Sequence, residues 1–170
     1  MASRQWSLVL PPDLRQELVQ HALAENPDEA CGILAGRIQG ERMVVERVMR
    51  VQNTADSVAP DQGVFRDRES GQPAAGRKAV HYYMDPKDQL RVYNEIDDLG
   101  LDVVGYYHSH THTEARPSPT DIRLATDLSG IYVLVGLEDP EHPSVRAWSI
   151  SKSDPTAEVG EAIELAVSNQ

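Results

Sequence analysis

The chain contains a single cysteine, Cys31, and no long hydrophobic run. One thiol cannot close an internal disulfide or build a multi-cysteine zinc cage. No window approaches the roughly eighteen apolar residues of a membrane-spanning helix, so we predict none. The N-terminal stretch MASRQWSLVLPPDL meets two prolines after a short apolar segment, which is unlike a signal peptide. We therefore expect a protein of the cytoplasm.

Basic side chains are also scarce. There are 16 lysines and arginines against 27 aspartates and glutamates, which gives a net charge of −11. A phosphate backbone is repelled by such a field, so nucleic acid is not expected as a ligand, whereas a basic or neutral protein partner stays open. A length of 170 residues suits one domain with one core, so we expect residues 1–170 to form a single domain. The sequence leaves homodimerisation open.

Helical and strand patterns are mixed along the chain without regular alternation, which predicts an α/β fold with a mixed sheet. The first helix, PDLRQELVQHALAENP, is expected to bury Leu14, Leu18, Ala22 and Leu23. The second, PKDQLRVYNEIDDLG, is expected to bury Leu90, Tyr93, Ile96 and Leu99, with Asp85 as its N-cap and Gly100 at its end. Strands are predicted at QWSLVL, EACGILAG, RMVVERVMRVQN, AVHYYM, LDVVGYYHSH, IYVLVGL and VRAWSI.

Two segments allow more than one interpretation. Residues 52–78 are polar and rich in glycine, proline, serine and aspartate, which fits either a solvated insertion or a flap beside an active site. The tail EVGEAIELAV fits either a strand or a short helix at the edge of the fold.

The stretch HSHTHTEARPSPTD, residues 108–121, follows a predicted strand and concentrates metal-binding side chains. His108 and His110 are two residues apart, and in an extended chain such positions point to the same face. Asp121 follows a proline-constrained loop that can fold back toward them, and a short helix is predicted to start near Thr120. Two imidazoles and one carboxylate suit Zn²⁺ with a position left open for water.

Other interpretations of these residues exist. A bare His-x-His pair is more often incidental than metal-binding. His112 fits a substrate contact or a solvated side chain better than a fourth ligand. Cys31 could act as a nucleophile beside a histidine, but a lone cysteine in an apolar run is usually just buried.

The complete string is His-Ser-His, seven residues, Ser118, two residues, Asp121, and it resembles the signature of the JAMM (MPN+) zinc metalloprotease family. The segment PDEACGILAG resembles the family's upstream glutamate motif and makes Glu29 the counterpart. The resemblance extends from about Leu8 to about Ile150. It implies a mixed, curved β-sheet flanked by helices, the MPN/JAB architecture, which is cytidine-deaminase-like. NPDEACG and HSHTHTEARPSPTDIRLAT are similar to the actinobacterial Mec-type branch, whose members cleave cysteine from the C-terminus of a ubiquitin-like sulfur-carrier protein.

The resemblance also implies roles for the residues. His108, His110 and Asp121 would hold one zinc ion per chain, which activates a water and polarises the substrate carbonyl. Glu29 would act as general base and then as general acid, and Ser118 would donate a hydrogen bond to the developing oxyanion. A Gly-Gly-type carrier tail could lie along a sheet edge as an added strand.

Three alternatives remain open on the sequence. The leaving group could be a lysine side chain, which would make the protein an isopeptidase for ubiquitin-like modifiers. A non-catalytic MPN scaffold is disfavoured because all five motif positions are filled. A protein that stores or senses zinc is disfavoured by the acid expected beside an open metal site.

Overall fold

The computed structural model describes residues 5–58 and 77–170, and these form a mixed sheet with helices on both faces, as predicted. Most of the polar segment 52–78, for which the sequence suggested a solvated insertion or a flap, lies outside the described residues. The strands are β1 Ser7–Val9, β2 Cys31–Gln39, β3 Arg42–Val51, β4 Asp102–His110, β5 Ile131–Gly136, β6 Ser144–Ser151 and β7 Glu161–Ser168. The helices are α1 Pro12–Glu25, α2 Pro86–Asp98 and α3 Pro119–Leu124. Within this part of the chain, no helix has both the length and the apolar character that crossing a bilayer requires.

The sheet is closed on itself, with the order β1-β3-β2-β4-β5-β6-β7. Closure occurs because the short strand β1 pairs in parallel with both β3 and β7. The neighbours β4 and β5 are also parallel, whereas the other pairs are antiparallel. Each of the strands in the described ranges therefore has two neighbours. However, β1 pairs only with Arg42–Val44 of β3, so no described strand pairs with the outer edge of Val45–Val51, and the predicted addition of a substrate tail to a sheet edge stays a prediction.

Strands β2 and β4 lie at the centre of the sheet, and β2 is buried on both faces. Leu34 packs with α1, while Cys31, Ile33 and Ala35 pack in the cluster that contains α2. This two-sided burial explains the continuous apolar run of β2. Helix α1 is also joined to β4 by a hydrogen bond of 2.8 Å between His21 Nδ1 and the Tyr107 hydroxyl.

The helix faces were predicted only in part. Leu14, Leu18 and Ala22 are buried as expected, but Leu23 is exposed and His21 takes the inward position. In α2, Ile96 is buried, whereas Leu90 and Leu99 are exposed and Val92 occupies the core instead. Leu23 and Leu90 lie beside the stripe that each helix presents to the sheet, where apolar residues stay in solvent, and Leu99 follows the last residue of α2 as its C-cap.

Local signals at turns and caps were more reliable. The Asp85 carboxylate accepts a hydrogen bond from the Asp88 N–H, as an N-cap does. Gly40 and Gly100 have φ of 64° and 66°, the left-handed region that glycine tolerates best. The tail is the strand β7. The predicted strand at AVHYYM is wrong, since only Met84 makes an isolated bridge, to Asn53, and the segment otherwise runs as an irregular connection.

Candidate metal centre

The pairing of β2 with β4 places the upstream glutamate beside the histidines. Cys31 at the start of β2 is in register with His108 near the end of β4. Glu29 lies two residues before that start, so it is next to the end of β4 that carries His108 and His110. The strand extends through His110, and the two imidazoles therefore lie on one face, as the spacing predicts.

Three side chains meet at this end of β4. The Nε2 atoms of His108 and His110 are 3.2 Å apart, and Asp121 Oδ2 lies 3.2 Å from the first and 3.0 Å from the second. Both histidines are buried and Asp121 is nearly so. The loop after β4 and the helix α3 bring Asp121 back across eleven positions of sequence, as expected from the proline-constrained segment.

The triangle formed by these atoms fits a small divalent cation. Ligands about 2.0–2.1 Å from a tetrahedral zinc ion lie roughly 3.3–3.4 Å from one another. The observed edges of 3.0–3.2 Å come within a few tenths of an ångström of that value. Among the described residues these three side chains also form the one group of histidine, cysteine or acidic residues placed to hold a metal ion. A set of two imidazoles and one carboxylate leaves one tetrahedral position for solvent or substrate.

The surroundings orient both imidazoles, and for His110 they favour metal binding through Nε2. His110 Nδ1 lies 2.9 Å from the carbonyl oxygen of Glu114. Because a carbonyl oxygen only accepts, Nδ1 must carry the hydrogen, and in the neutral ring Nε2 then keeps its lone pair. The ring of Tyr82 stacks on His108, with centroids 4.3 Å apart and an interplanar angle of 26°. Tyr82 thus restricts the orientation of the His108 imidazole.

The carboxylate is positioned by a capping box at the start of α3. Ser118 is the N-cap: its Oγ accepts from the Asp121 N–H at 3.1 Å, and its own N–H donates to Asp121 Oδ2 at 2.8 Å. Pro119 occupies the first turn. Burial raises the pKa of Asp121, but the charges and hydrogen bonds of His108 and His110 outweigh this effect and hold the pKa well below its usual range. Asp121 is therefore an anion, as a ligand must be.

Glu29 is a buried carboxyl group beside this triangle. Burial chiefly, and then the charge of Asp121, raise its pKa from 4.5 to about 8, while His110 opposes the shift. A pKa close to neutrality suits a group that must both take up and release a proton. The backbone of Glu29 is also fixed, since its N–H donates to the Lys78 carbonyl and its carbonyl accepts from the Asn53 amide.

Ser109, between the two histidines, points away from them and joins β4 to the Glu29 segment. Its Oγ accepts a hydrogen bond of 2.8 Å from the Ala30 N–H, and its N–H donates to the Ala30 carbonyl at 3.0 Å. The residue next to Glu29 is thus fastened to the middle of the His-Ser-His motif. The motif indicated Ser109 by position, but no sequence argument gave it this role.

Replacing Ser109 with alanine is expected to destabilise the fold by about 1–3 kcal/mol, because the buried Ala30 N–H loses its acceptor. Metal content should not change, since the ligands project to the other face, whereas turnover should fall as Glu29 loses its anchor. Urea unfolding measures the stability, elemental analysis the metal content, and kinetics the turnover. Ser129→Ala removes an exposed hydroxyl that bonds locally to Asp127, and it should cost no more than roughly 0.5 kcal/mol. Equal losses in both variants would contradict the role of Ser109.

Two other residues considered on the sequence lie outside the cluster. His112 is exposed and is not among the three grouped ligands. Cys31 is fully buried and its thiol donates to the Val51 carbonyl at 3.4 Å. Burial raises the pKa of this thiol far above its usual range, with further increases from nearby carboxylates, which argues against a thiolate nucleophile.

Comparison with known proteins agrees with the fold. The family described as prokaryotic homologs of the JAB domain matches residues 11–151. The chain is 35% identical over 157 residues to the CysO-cysteine peptidase of Mycobacterium tuberculosis, covering 92% of each protein. It is 28% identical over 131 residues to the desampylase of Haloferax volcanii, covering 75% of this chain and 78% of that one.

A solved structure shows the same architecture. The solution structure of DSY2949 from Desulfitobacterium hafniense is 29% identical, with a TM-score of 0.70, and the match covers 96% of this chain and 94% of that one. The fold and the site define a JAB/MPN domain. The chain belongs to the prokaryotic branch of the JAB family.

Proposed function

We propose that this protein is a zinc-dependent metallopeptidase. It would hydrolyse the amide bond after the C-terminal glycine of a ubiquitin-like sulfur-carrier protein of the ThiS/MoaD type and release cysteine. The observation that carries the proposal is the buried triangle of His108, His110 and Asp121, whose edges of 3.0–3.2 Å suit a tetrahedral divalent cation. A bound Zn²⁺ would supply Lewis-acid polarisation of the carbonyl and an activated water. The cytoplasm remains the predicted location.

The residues of the chain divide the remaining chemistry. Glu29, a buried carboxyl group beside the triangle, would accept the proton of the attacking water and then deliver it to the departing amine. Ser118 uses an oxygen lone pair to cap α3, so its hydroxyl hydrogen is free to be donated to the oxyanion. Loss of one such donor typically lowers turnover by about a hundredfold to a thousandfold. The hydrolysis needs no covalent intermediate with the protein.

A candidate space for a substrate lies next to Tyr82, the residue that stacks on His108. A pocket of about 310 Å³ adjoins His108 through Tyr82 and is bordered by Leu124 and Ala125, which follow Asp121 on α3 and its C-cap. A narrow Gly-Gly-type tail can approach the triangle next to this pocket. The tail would lie along a sheet edge as an added strand, since β1 covers only Arg42–Val44 of the outer edge of β3.

The identity of the leaving group is supported by similarity alone. The CysO-cysteine peptidase matches 92% of this chain, which favours release of cysteine. The similarity to the desampylase of Haloferax volcanii supports the alternative, an isopeptidase that removes a ubiquitin-like modifier from lysine. A non-catalytic scaffold is disfavoured, because such a protein needs neither the three converging ligands nor a buried Glu29 beside them.

The test is a direct comparison of two substrates. Zinc-loaded protein is incubated with a carrier whose C-terminal glycine is joined to the α-amine of cysteine, and in parallel with the same carrier joined to a lysine ε-amine. We expect mass spectrometry to show loss of cysteine from the first adduct and regeneration of the free carrier. Cleavage of the lysine conjugate alone would assign the protein as an isopeptidase. If both stay intact while zinc is bound, the peptidase proposal is wrong.

A further inference from the structure

Trp148 holds in place the segment Glu114–Ala115, which orients His110. It lies in β6, is 3% exposed, and donates from Nε1 to the Ala115 carbonyl at 2.9 Å. The preceding carbonyl in the chain, that of Glu114, accepts from His110 Nδ1 at 2.9 Å. Two successive carbonyls are thus held by two different rings, one in the core of the protein and one at the metal centre.

The same segment is held by side-chain contacts as well. The guanidinium carbon of Arg146 is 4.7 Å from the centroid of a Trp148 ring, and its Nη1 is 3.7 Å from a Glu114 carboxylate oxygen. Arg146 is itself oriented by two hydrogen bonds of 2.8 and 2.7 Å to the Glu164 carboxylate. Ala115 is fully buried against Trp148 and Leu134. The segment therefore has little freedom to turn the Glu114 carbonyl away.

We propose that Trp148 is a positioning residue that sets the metal affinity of the site. By fixing Ala115, it fixes the Glu114 carbonyl, and that carbonyl determines which nitrogen of His110 carries hydrogen and where Nε2 points. Groups that hydrogen-bond to metal ligands typically contribute about tenfold to a hundredfold in metal affinity. The inference rests on the proposed function, because it takes His110 as a ligand.

The experiment compares Trp148→Phe with a matched control on the neighbouring strand. Tyr132 is directly opposite Trp148 in the β5–β6 pair, and its hydroxyl donates to a loop carbonyl, that of Asp127, also at 2.9 Å. Tyr132→Phe therefore removes one side-chain hydrogen bond of the same length to a loop that does not contact His110 in the described structure. Zinc dissociation constants are measured at 25 °C by competition with a chromophoric chelator, and the stability of each metal-free variant is measured by urea unfolding.

We expect Trp148→Phe to weaken zinc binding about threefold to tenfold, less than the loss of the Glu114 carbonyl itself would, and Tyr132→Phe to leave it within about twofold, although both lower the stability of the metal-free fold. Equal zinc affinity in wild type and Trp148→Phe, or equal weakening in both variants, would overturn the inference. Wild type that binds no zinc would instead overturn the proposed function.

A second variant keeps the test decisive if Trp148→Phe does not fold. Arg146 lies at the surface, so Arg146→Gln should fold, and it removes the guanidinium that contacts both Trp148 and Glu114. It should weaken zinc binding in the same direction by a smaller factor. Unchanged affinity in this variant would count against the segment's role in orienting His110.

Discussion

Replacement of His108 by alanine is expected to remove the bound metal and abolish hydrolysis. The imidazole supplies one corner of the triangle, 3.2 Å from both other ligand atoms, and two ligands cannot retain a zinc ion against a chelator. The loss should exceed the tenfold to hundredfold effect typical of outer groups around a metal. Elemental analysis should fall from near one zinc per chain to near zero. Added zinc should not raise the thermal unfolding midpoint of His108→Ala, because that increase requires zinc to bind the folded state.

The neighbouring histidine provides the control. His112 belongs to the same segment but is exposed and lies outside the ligand group, so His112→Ala should keep its zinc. Asp121→Asn tests the third corner with little change of shape, since an amide oxygen can still accept from the Ser118 N–H and preserve the cap. It should lose zinc, and at neutral pH it should unfold at lower urea than the metal-free wild type, because the lowered pKa of Asp121 means that its charge stabilises the metal-free fold. One zinc per chain in His108→Ala would contradict the assignment of the site.

The parts of the site that the sequence predicts are those in which a local rule fixes the geometry. Period-two alternation places His108 and His110 on one face whenever the strand continues through them. The serine, proline and aspartate at 118–121 carry the pattern of a helix start, and that helix returns Asp121 to the histidines. Glu29 needed the family resemblance, because an acid before a strand carries no local signal of its role.

The parts that the sequence does not predict depend on contacts between remote segments. Glu114 contributes a backbone carbonyl, which any residue type could supply, so the sequence carries no signal for this contact. Trp148 and Tyr82 look like ordinary core residues until the strands are in register. The closure of the sheet depends on β1, three residues long, pairing on both sides. The segment AVHYYM has strand composition, but its predicted pairing reduces to one bridge because it connects Lys78 to the Asp85 cap across the site.

Replacement of Glu29 by glutamine is expected to separate metal binding from catalysis. The amide has nearly the same shape but cannot take up a proton, and general acid–base groups typically contribute about a hundredfold to ten-thousandfold. Zinc content should stay near one per chain while turnover falls by that factor. Asp28→Asn is the matched control, since this adjacent acid pairs at 3.7 Å with Lys78 and is partly exposed. Retained turnover in Glu29→Gln would contradict the acid–base role.

Wild type and Glu29→Gln also give a pH-dependent test of the Glu29 environment that needs no substrate. In the metal-free fold the pKa of Glu29 is raised from 4.5 to about 8, chiefly by burial and then by Asp121. Between these values the native state binds more protons than the unfolded chain, so this group lowers stability as pH rises from about 4.5 to about 8. Glu29→Gln lacks the effect. The stability of the variant relative to wild type should therefore increase between pH 5 and pH 8 in urea unfolding of both metal-free proteins. A difference that does not vary with pH would mean that Glu29 is ionised and solvated, and it would then lack the buried position from which it is expected to hold and release the proton.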